Sequence, residues 1–316
     1  MTASANPLAP GPDARGPDAP GPNAPGPDVQ GAGEAGPAAA GYDPHHTLPL
    51  RVEMIRQLRR RRTMIAFLIL LVLPWILVGA FKLGGPAQPG TGTPGLVDFA
   101  TVGGLNFAAF SFFASAGFLL VVAVALFCGD TVASEASWSS LRYLLAAPVP
   151  RARLLRQKLA AALIYASVAV VSFPAMSLLA GTVVFGWHPL RLPATGVDMP
   201  SGTALERLGI VLVYVLITEL VVAGLAFLLS VTTDSPLGAV GGAVGLVIVS
   251  NILDAVTALG AWREILPTHW QFVWLDAFSS QLSWGGMIEG AAVSVSYALV
   301  LFALAFRRFR TKDIVS

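Results

Sequence analysis

Six apolar runs punctuate the chain, at about residues 64–83, 105–129, 159–187, 208–231, 236–259 and 287–306. Each approaches the ~20 apolar residues that a helix needs to cross a hydrocarbon core of ~30 Å. The pattern inside the runs is apolar on all sides, which fits helices surrounded by lipid or by one another rather than a half-wet surface helix. Pro74 and Pro174 fall inside the first and third runs. Proline is tolerated in membrane helices where neighbours satisfy the freed carbonyl, so both positions predict kinks. Ahead of the first run, Val52, Ile55 and Leu58 recur at helical spacing with arginines between them. That pattern predicts either a short helix lying in the membrane interface or a plain basic stop before the first span.

The first 46 residues follow a different rule. "GPDAR", "GPDAP", "GPNAP" and "GPDVQ" repeat with period five between Gly11 and Gln30. Collagen requires glycine at every third position, so this is not a collagen repeat. Too few apolar groups are present to offset chain entropy, and the expectation is a disordered tail. No apolar core lies near Met1, which argues against a signal peptide. His45 and His46 are a lone pair in that tail, and no metal site is assigned to them. The domain organisation read from the pattern is a tail over 1–46 and a six-span domain over 47–316.

Composition agrees with the pattern. Hydrophobic residues make up 55% of the 316 residues and charged residues 12%, about half the charged share of a soluble protein. Mean hydropathy is +0.69. A soluble chain of this length could not hide that much apolar surface. The fold class is therefore all-α, a polytopic membrane protein. The formal net charge of +2 does not suggest nucleic acid. The single cysteine, Cys128, excludes an internal disulfide and a cysteine-cluster metal site.

The placement of the basic residues says more than their sum. Arg51, Arg56 and Arg59 to Arg62 precede the first run; Arg142, Arg151, Arg153, Arg156 and Lys158 lie between the second and third; Arg307, Arg308, Arg310 and Lys312 follow the last. The other side has only Lys82, Arg191, Arg207 and Arg263. The positive-inside rule then puts both termini and the segment 130–158 in the cytoplasm. Within that segment Trp138, Leu141 and Leu145 share one helical face, Pro148 ends the helix, and a second helix starts near Arg151. The Trp138 face packs either on the chain's own helices and the lipid interface or against another subunit.

The segment resembles the first cytoplasmic loop of type-2 ABC exporter permeases. The family's loop reads roughly as Glu, three residues, Gly-Thr, Leu-Arg, a Leu pair, Pro, Arg and Lys. This chain has Glu135, Ser139-Ser140, Leu141-Arg142, Leu144-Leu145, Pro148, Arg151 and Lys158, with Ser139 where glycine is usual. The basic "RQLRRRRT" and the six spans resemble that family as well, so the resemblance covers about residues 48–312. It implies a coupling helix that docks in a groove of a cytoplasmic ATPase subunit, with Glu135, Trp138, Leu141, Arg142 and Arg151 as contacts. It also implies a transport path between two six-span halves, hence a second permease copy or homologue, and a place in the cell membrane of a bacterium.

A phosphate loop needs Gly-Lys-Ser/Thr. The three lysines, Lys82, Lys158 and Lys312, follow Phe, Gln and Thr. The expectation is that the chain is no enzyme, holds no cofactor, and works with ATP bound to a partner subunit. Ionisable groups inside spans are costly and are functional candidates by default. Glu219 and Asp254 are two such groups, and a proton-coupled secondary transporter using them is the alternative reading. Structural pairing with Ser, Thr or Asn251 is the simpler role for both. In the fifth run Gly238 and Gly242, and Gly241 and Gly245, lie four apart. That spacing lets helices approach closely, within the chain or across a dimer. The tryptophan-rich stretch 262–284 is too polar to span, and the resemblance makes it short helices dipping into the outer leaflet. His269 within it is expected to be an interface residue. The substrate is not readable.

Overall fold

The computed structural model describes residues 49–83, 96–137, 151–192, 195–279 and 281–311. The N-terminal repeats lie outside the described residues. Among the described residues nine α-helices follow in order: α1 (Leu50–Leu58), α2 (Arg61–Leu83), α3 (Leu96–Ala100), α4 (Gly104–Ala116), α5 (Leu119–Ser137), α6 (Arg151–Phe185), α7 (Ser201–Thr232), α8 (Pro236–Ala255) and α9 (Gly285–Thr311). A two-residue antiparallel ribbon, β1 (Leu190–Arg191) on β2 (Asp198–Met199), joins α6 to α7. Three 3-10 turns, Thr257–Ile265, Pro267–Trp270 and Val273–Phe278, join α8 to α9.

Helices α2, α6, α7, α8 and α9 are each long and apolar enough to cross a membrane, and α4 with α5 form a sixth candidate bent by 57°. The protein is thus an all-α membrane protein with five or six membrane-crossing helices among the described residues. Its most buried span is α7: 56% of its apolar window is inside the protein, against 17% for α2 and for α8. It packs chiefly on α9 and α5, while α6 packs on α4. The apolar surface of the outer helices is therefore left to lipid or to another chain.

The sharp break differs from the sequence expectation. α2 and α6 run as continuous helices through Pro74 and Pro174. The second apolar run, by contrast, breaks at Gly117–Phe118. A broken helix frees carbonyls that lipid cannot satisfy. Here Gln271 Nε2 donates to Ala116 O at 3.0 Å, so a side chain from the 3-10 segment replaces a lost backbone bond.

α4 and α6 meet through glycine. A Cβ on Gly104 would stand 2.7 Å from the Thr182 backbone nitrogen, and one on Gly181 would stand 2.8 Å from Phe107 Cβ. Small residues at such crossings let two backbones approach where no hydrophobic force acts between helices. Gly104→Ala is expected to destabilise the fold by about 1–3 kcal/mol through overpacking. Gly79→Ala is expected to be neutral, since nothing lies within 4 Å of its would-be Cβ. Thermal unfolding of the two variants in detergent checks both; equal midpoints would mean the α4–α6 contact is looser than described.

Candidate functional site

At the end of the bundle where α1 lies, three elements converge on one ammonium group. Lys158, on the second turn of α6, has a side chain only 1% exposed. Its Nζ lies 2.5 Å from Glu135 Oε1 on α5 and 3.4 Å from Glu53 Oε1 on α1. Arg56 donates to Glu53 Oε2 at 2.6 Å and also to Glu135. Gln57 Nε2 donates to Glu53 Oε1 at 3.0 Å. One layer over, Arg60 and Arg62 reach the two oxygens of Asp130 at 2.9 and 2.8 Å, and Arg60 also donates to Ser134 Oγ at 2.8 Å. The short helix is further pinned by Tyr165, whose hydroxyl donates to Met54 O at 2.6 Å.

This arrangement turns α1 inside out relative to its apolar pattern. Glu53 and Gln57 are buried, at 4% and 6% exposure, while Val52, Ile55 and Leu58 face outward. An outward apolar stripe beside a ring of arginines fits a helix seated in the lipid interface. The polar face turns inward because a buried cation requires paired carboxylates, and Glu53 is the acid in reach. Burial alone would raise the Glu53 pKa. Lys158 and Arg56 outweigh it and hold the carboxyl below its ordinary 4.5.

Glu135, expected from the resemblance to be a contact of the ATPase subunit, lies inside the chain. It is 3% exposed and engaged with Lys158 and Arg56 inside the chain. Trp138, Leu141 and Arg142 lie outside the described residues, and Arg151 opens α6 with its backbone alone described. α5 ends at Ser137 and α6 begins at Arg151, so both ends of the intervening segment are anchored in the same ion network.

A second polar constellation lies in the middle of the bundle. Glu219 on α7 is 6% exposed and lines a cavity of about 80 Å³ between α5, α7, α8 and the turn Pro267–Trp270. Thr218, Ser250, Thr268 and Gln271 supply the other polar walls. Ser250 Oγ and Thr268 Oγ1 are 2.6 Å apart and share a hydrogen bond. Among the described residues, Glu219 Oε2 and Gln271 Oε1 have no hydrogen-bond partner. Thr218, Ser250 and Thr268 thus bring hydroxyls to the cavity, and Asn251 is not among its walls.

Asp254 does not join Glu219. It lies at the far end of α8, 2.7 Å from His269 Nδ1 and 3.3 Å from Arg263 Nε. His269 is thereby a partner of Asp254 and not merely an interface residue. The stretch 262–284 is held to the helices at many points. Tyr214 and Tyr297 donate to the Trp270 and Ile265 carbonyls at 2.6 and 3.0 Å, and Arg207 donates to the Ala277 carbonyl at 2.8 Å. Of its tryptophans, Trp262 and Trp284 face outward, whereas Trp274 is 1% exposed and packs on Phe112 and Phe278.

The four glycines of α8 separate into two kinds. Gly242 lies against Leu229, and Gly238 against its own N-cap Ser235. Gly241 and Gly245 sit one turn apart on a face where no described atom comes within 4 Å of a would-be Cβ. No group of three or more His, Cys, Asp or Glu with metal-holding geometry occurs among the described residues.

Sequence reasoning passed over Glu53, Arg56, Lys158, Asp130 and Gln271. One signal was present for the network: Glu53 is the sole acid in the basic stretch 51–62. Gln271 had no such mark, because its role depends on a helix break that hydropathy does not show.

Removing one partner of a buried ion pair leaves an uncompensated charge, at a cost of about 3–5 kcal/mol. Lys158→Met is therefore expected to lower stability by an amount in that range. Because the folded Glu53 pKa lies below its unfolded value, its contribution is complete above about pH 4.5 and is lost as pH falls through the lowered folded value. Unfolding midpoints in detergent across pH 3–7 check both statements. An acid loss of stability that persists unchanged in Glu53→Gln would assign it to other carboxylates.

The family described as "Protein of unknown function (DUF2705)" matches residues 95–315, from the start of α3 through the end of α9. No curated protein matches the chain. The match covers well over half of the sequence, and the chain belongs to the DUF2705 family.

Proposed function

We propose that the chain is the permease subunit of an ABC exporter, moving a substrate across the cell membrane with ATP hydrolysed by a separate cytoplasmic ATPase subunit. The observation that carries this reading is the buried network of Lys158, Glu135, Glu53 and Arg56. It ties both ends of the 138–150 segment to α1 and hence to the start of α2. A force applied to that segment is delivered to α2, α5 and α6 together rather than absorbed in a loose loop. The coupling motif read in the sequence supplies the segment on which such a force would act, with Trp138, Leu141 and Arg142 facing the ATPase.

In this reading the protein has six spans, with the α4–α5 pair counted as one, and both termini are cytoplasmic. The Gly241–Gly245 face of α8, open in the single chain, receives a second copy or a homologue. No observation favours the secondary-transporter alternative, since Asp254 is engaged with His269 and Arg263 away from the Glu219 cavity.

Two experiments test the proposal. The purified chain should hydrolyse no ATP, yet it should co-purify with its ATPase, and Trp138→Ala should weaken that complex by more than tenfold. Truncated tryptophan anchors cost ~2 kcal/mol or more, and ~1.4 kcal/mol is a factor of ten. Normal binding by Trp138→Ala, or ATP turnover by the chain alone, would refute the reading. For topology, Leu275→Cys should react with an impermeant thiol reagent on intact cells and Arg310→Cys should not. Both sites are exposed, and the native Cys128 is fully buried, so background labelling is low. The reverse pattern would invert the orientation.

A further inference from the structure

The Glu219 cavity has a chemistry of its own. Its polar groups are acceptors: the free oxygen of a carboxylate that is 94% buried, the free oxygen of Gln271, and the Ser250–Thr268 hydroxyl pair, whose mutual bond uses one of two hydrogens. The amide hydrogens of Gln271 point elsewhere, because Nε2 is committed to the Ala116 carbonyl. Buried acceptors left without donors are costly, and native structures rarely keep two in one place without a use. The remaining wall is aliphatic, with Val222 and Leu246 among its members, and Leu246 is half exposed at the rim.

We infer that this cavity is a binding site for a primary ammonium group on an alkyl stem. An ammonium carries three N–H donors and no acceptor. Glu219 Oε2, Gln271 Oε1 and the hydroxyl pair are three matching acceptors, and Glu219 as a carboxylate would complement the charge of a bound ammonium. A hard metal ion fits poorly, since it asks for six or more oxygens where the aliphatic wall offers none. A volume of about 80 Å³ holds more than a single water but is far below the 300 Å³ of a drug-sized pocket. Only a headgroup enters, and its stem leaves past Leu246. The inference names the cargo class of the permease proposed above and rests on that reading for its meaning as cargo. The binding itself involves no ATPase.

The test uses the full chain in neutral phosphatidylcholine nanodiscs and radiolabelled hexylammonium, with empty discs subtracted. Saturable binding is expected at one site per chain. Hexanol, which lacks charge, and hexyltrimethylammonium, which lacks N–H donors, should compete at least tenfold more weakly than unlabelled hexylammonium. Sodium at ~150 mM should leave binding unchanged. Glu219→Gln should lose at least tenfold in affinity and Gln271→Leu several-fold, with each variant checked for a monodisperse profile. The competitor series on the unaltered chain decides the matter even if a variant fails to fold. No saturable binding, equal competition by hexyltrimethylammonium or hexanol, or displacement by sodium would each overturn the inference; a cavity that takes only a proton gives the first result. A chain that binds hexylammonium but captures no ATPase keeps the site and loses the permease reading. The opposite result keeps the permease and loses this cargo class.

Discussion

A lysine ammonium withdrawn from water must be met by carboxylates, and this requirement at Lys158 organises one whole end of the molecule. Glu135 and Glu53 approach it from two other helices. Because α1 carries Glu53, the helix must present its polar face inward, and its leucine, isoleucine and valine stripe is left to the lipid interface. Because α5 carries Glu135, its last turn must lie against the first turns of α6. Arg56 closes the group by bridging both acids. A well-packed apolar core in the same place could be as stable, since buried ion pairs seldom add net stability. What the charges add is geometry: the three helices fit only in the arrangement that pairs every one of these ions.

The opposite end of the bundle is built on another principle. Neutral donors on α7 and α9, Tyr214 and Tyr297, reach backbone carbonyls of the 3-10 segment, and Gln271 reaches back to the broken α4–α5 joint. Tightly wound turns expose carbonyls that a regular helix would satisfy internally. Each such bond satisfies an orphan acceptor without introducing a charge. Between the two ends lies Glu219, where satisfaction is incomplete. Part of the unmet polar capacity among the described residues thus lies at mid-bundle, near the joint where the α4–α5 span is interrupted.

Hydropathy made the spans legible because a helix that crosses a membrane must be apolar for about 20 residues regardless of its neighbours. The run 208–231 and helix α7, Ser201–Thr232, coincide in their apolar centre for that reason. The break at Gly117–Phe118 was not legible, since apolar character continues across it and only the Phe272 ring, 3.1 Å from a would-be Gly117 Cβ, and the Gln271 bond reveal it. Pro74 and Pro174 lie in helices that continue through them. Glu135 was recognised by motif, while its pairing with Lys158 and Arg56 was not legible, because a motif records which residue occurs and not which way it faces. Glu219 was found as an intramembrane acid, while its companions Gln271 and Thr268 come from a segment 50 residues onward that only tertiary folding brings back.

α5 joins the two regimes. Its far end carries Asp130 and Glu135 in the ion network, and near its start Val121 forms part of the Glu219 cavity wall. Nineteen residues at ~1.5 Å each make a rod of about 28 Å. The start of α5 is held by packing, with Leu120, Val121 and Val124 buried, and the Gln271 bond beside it falls on Ala116, the last residue of α4. Gln271 is also a wall of the cavity, so one side chain both satisfies the carbonyl at the broken joint and bounds the site beside Glu219 and Val121.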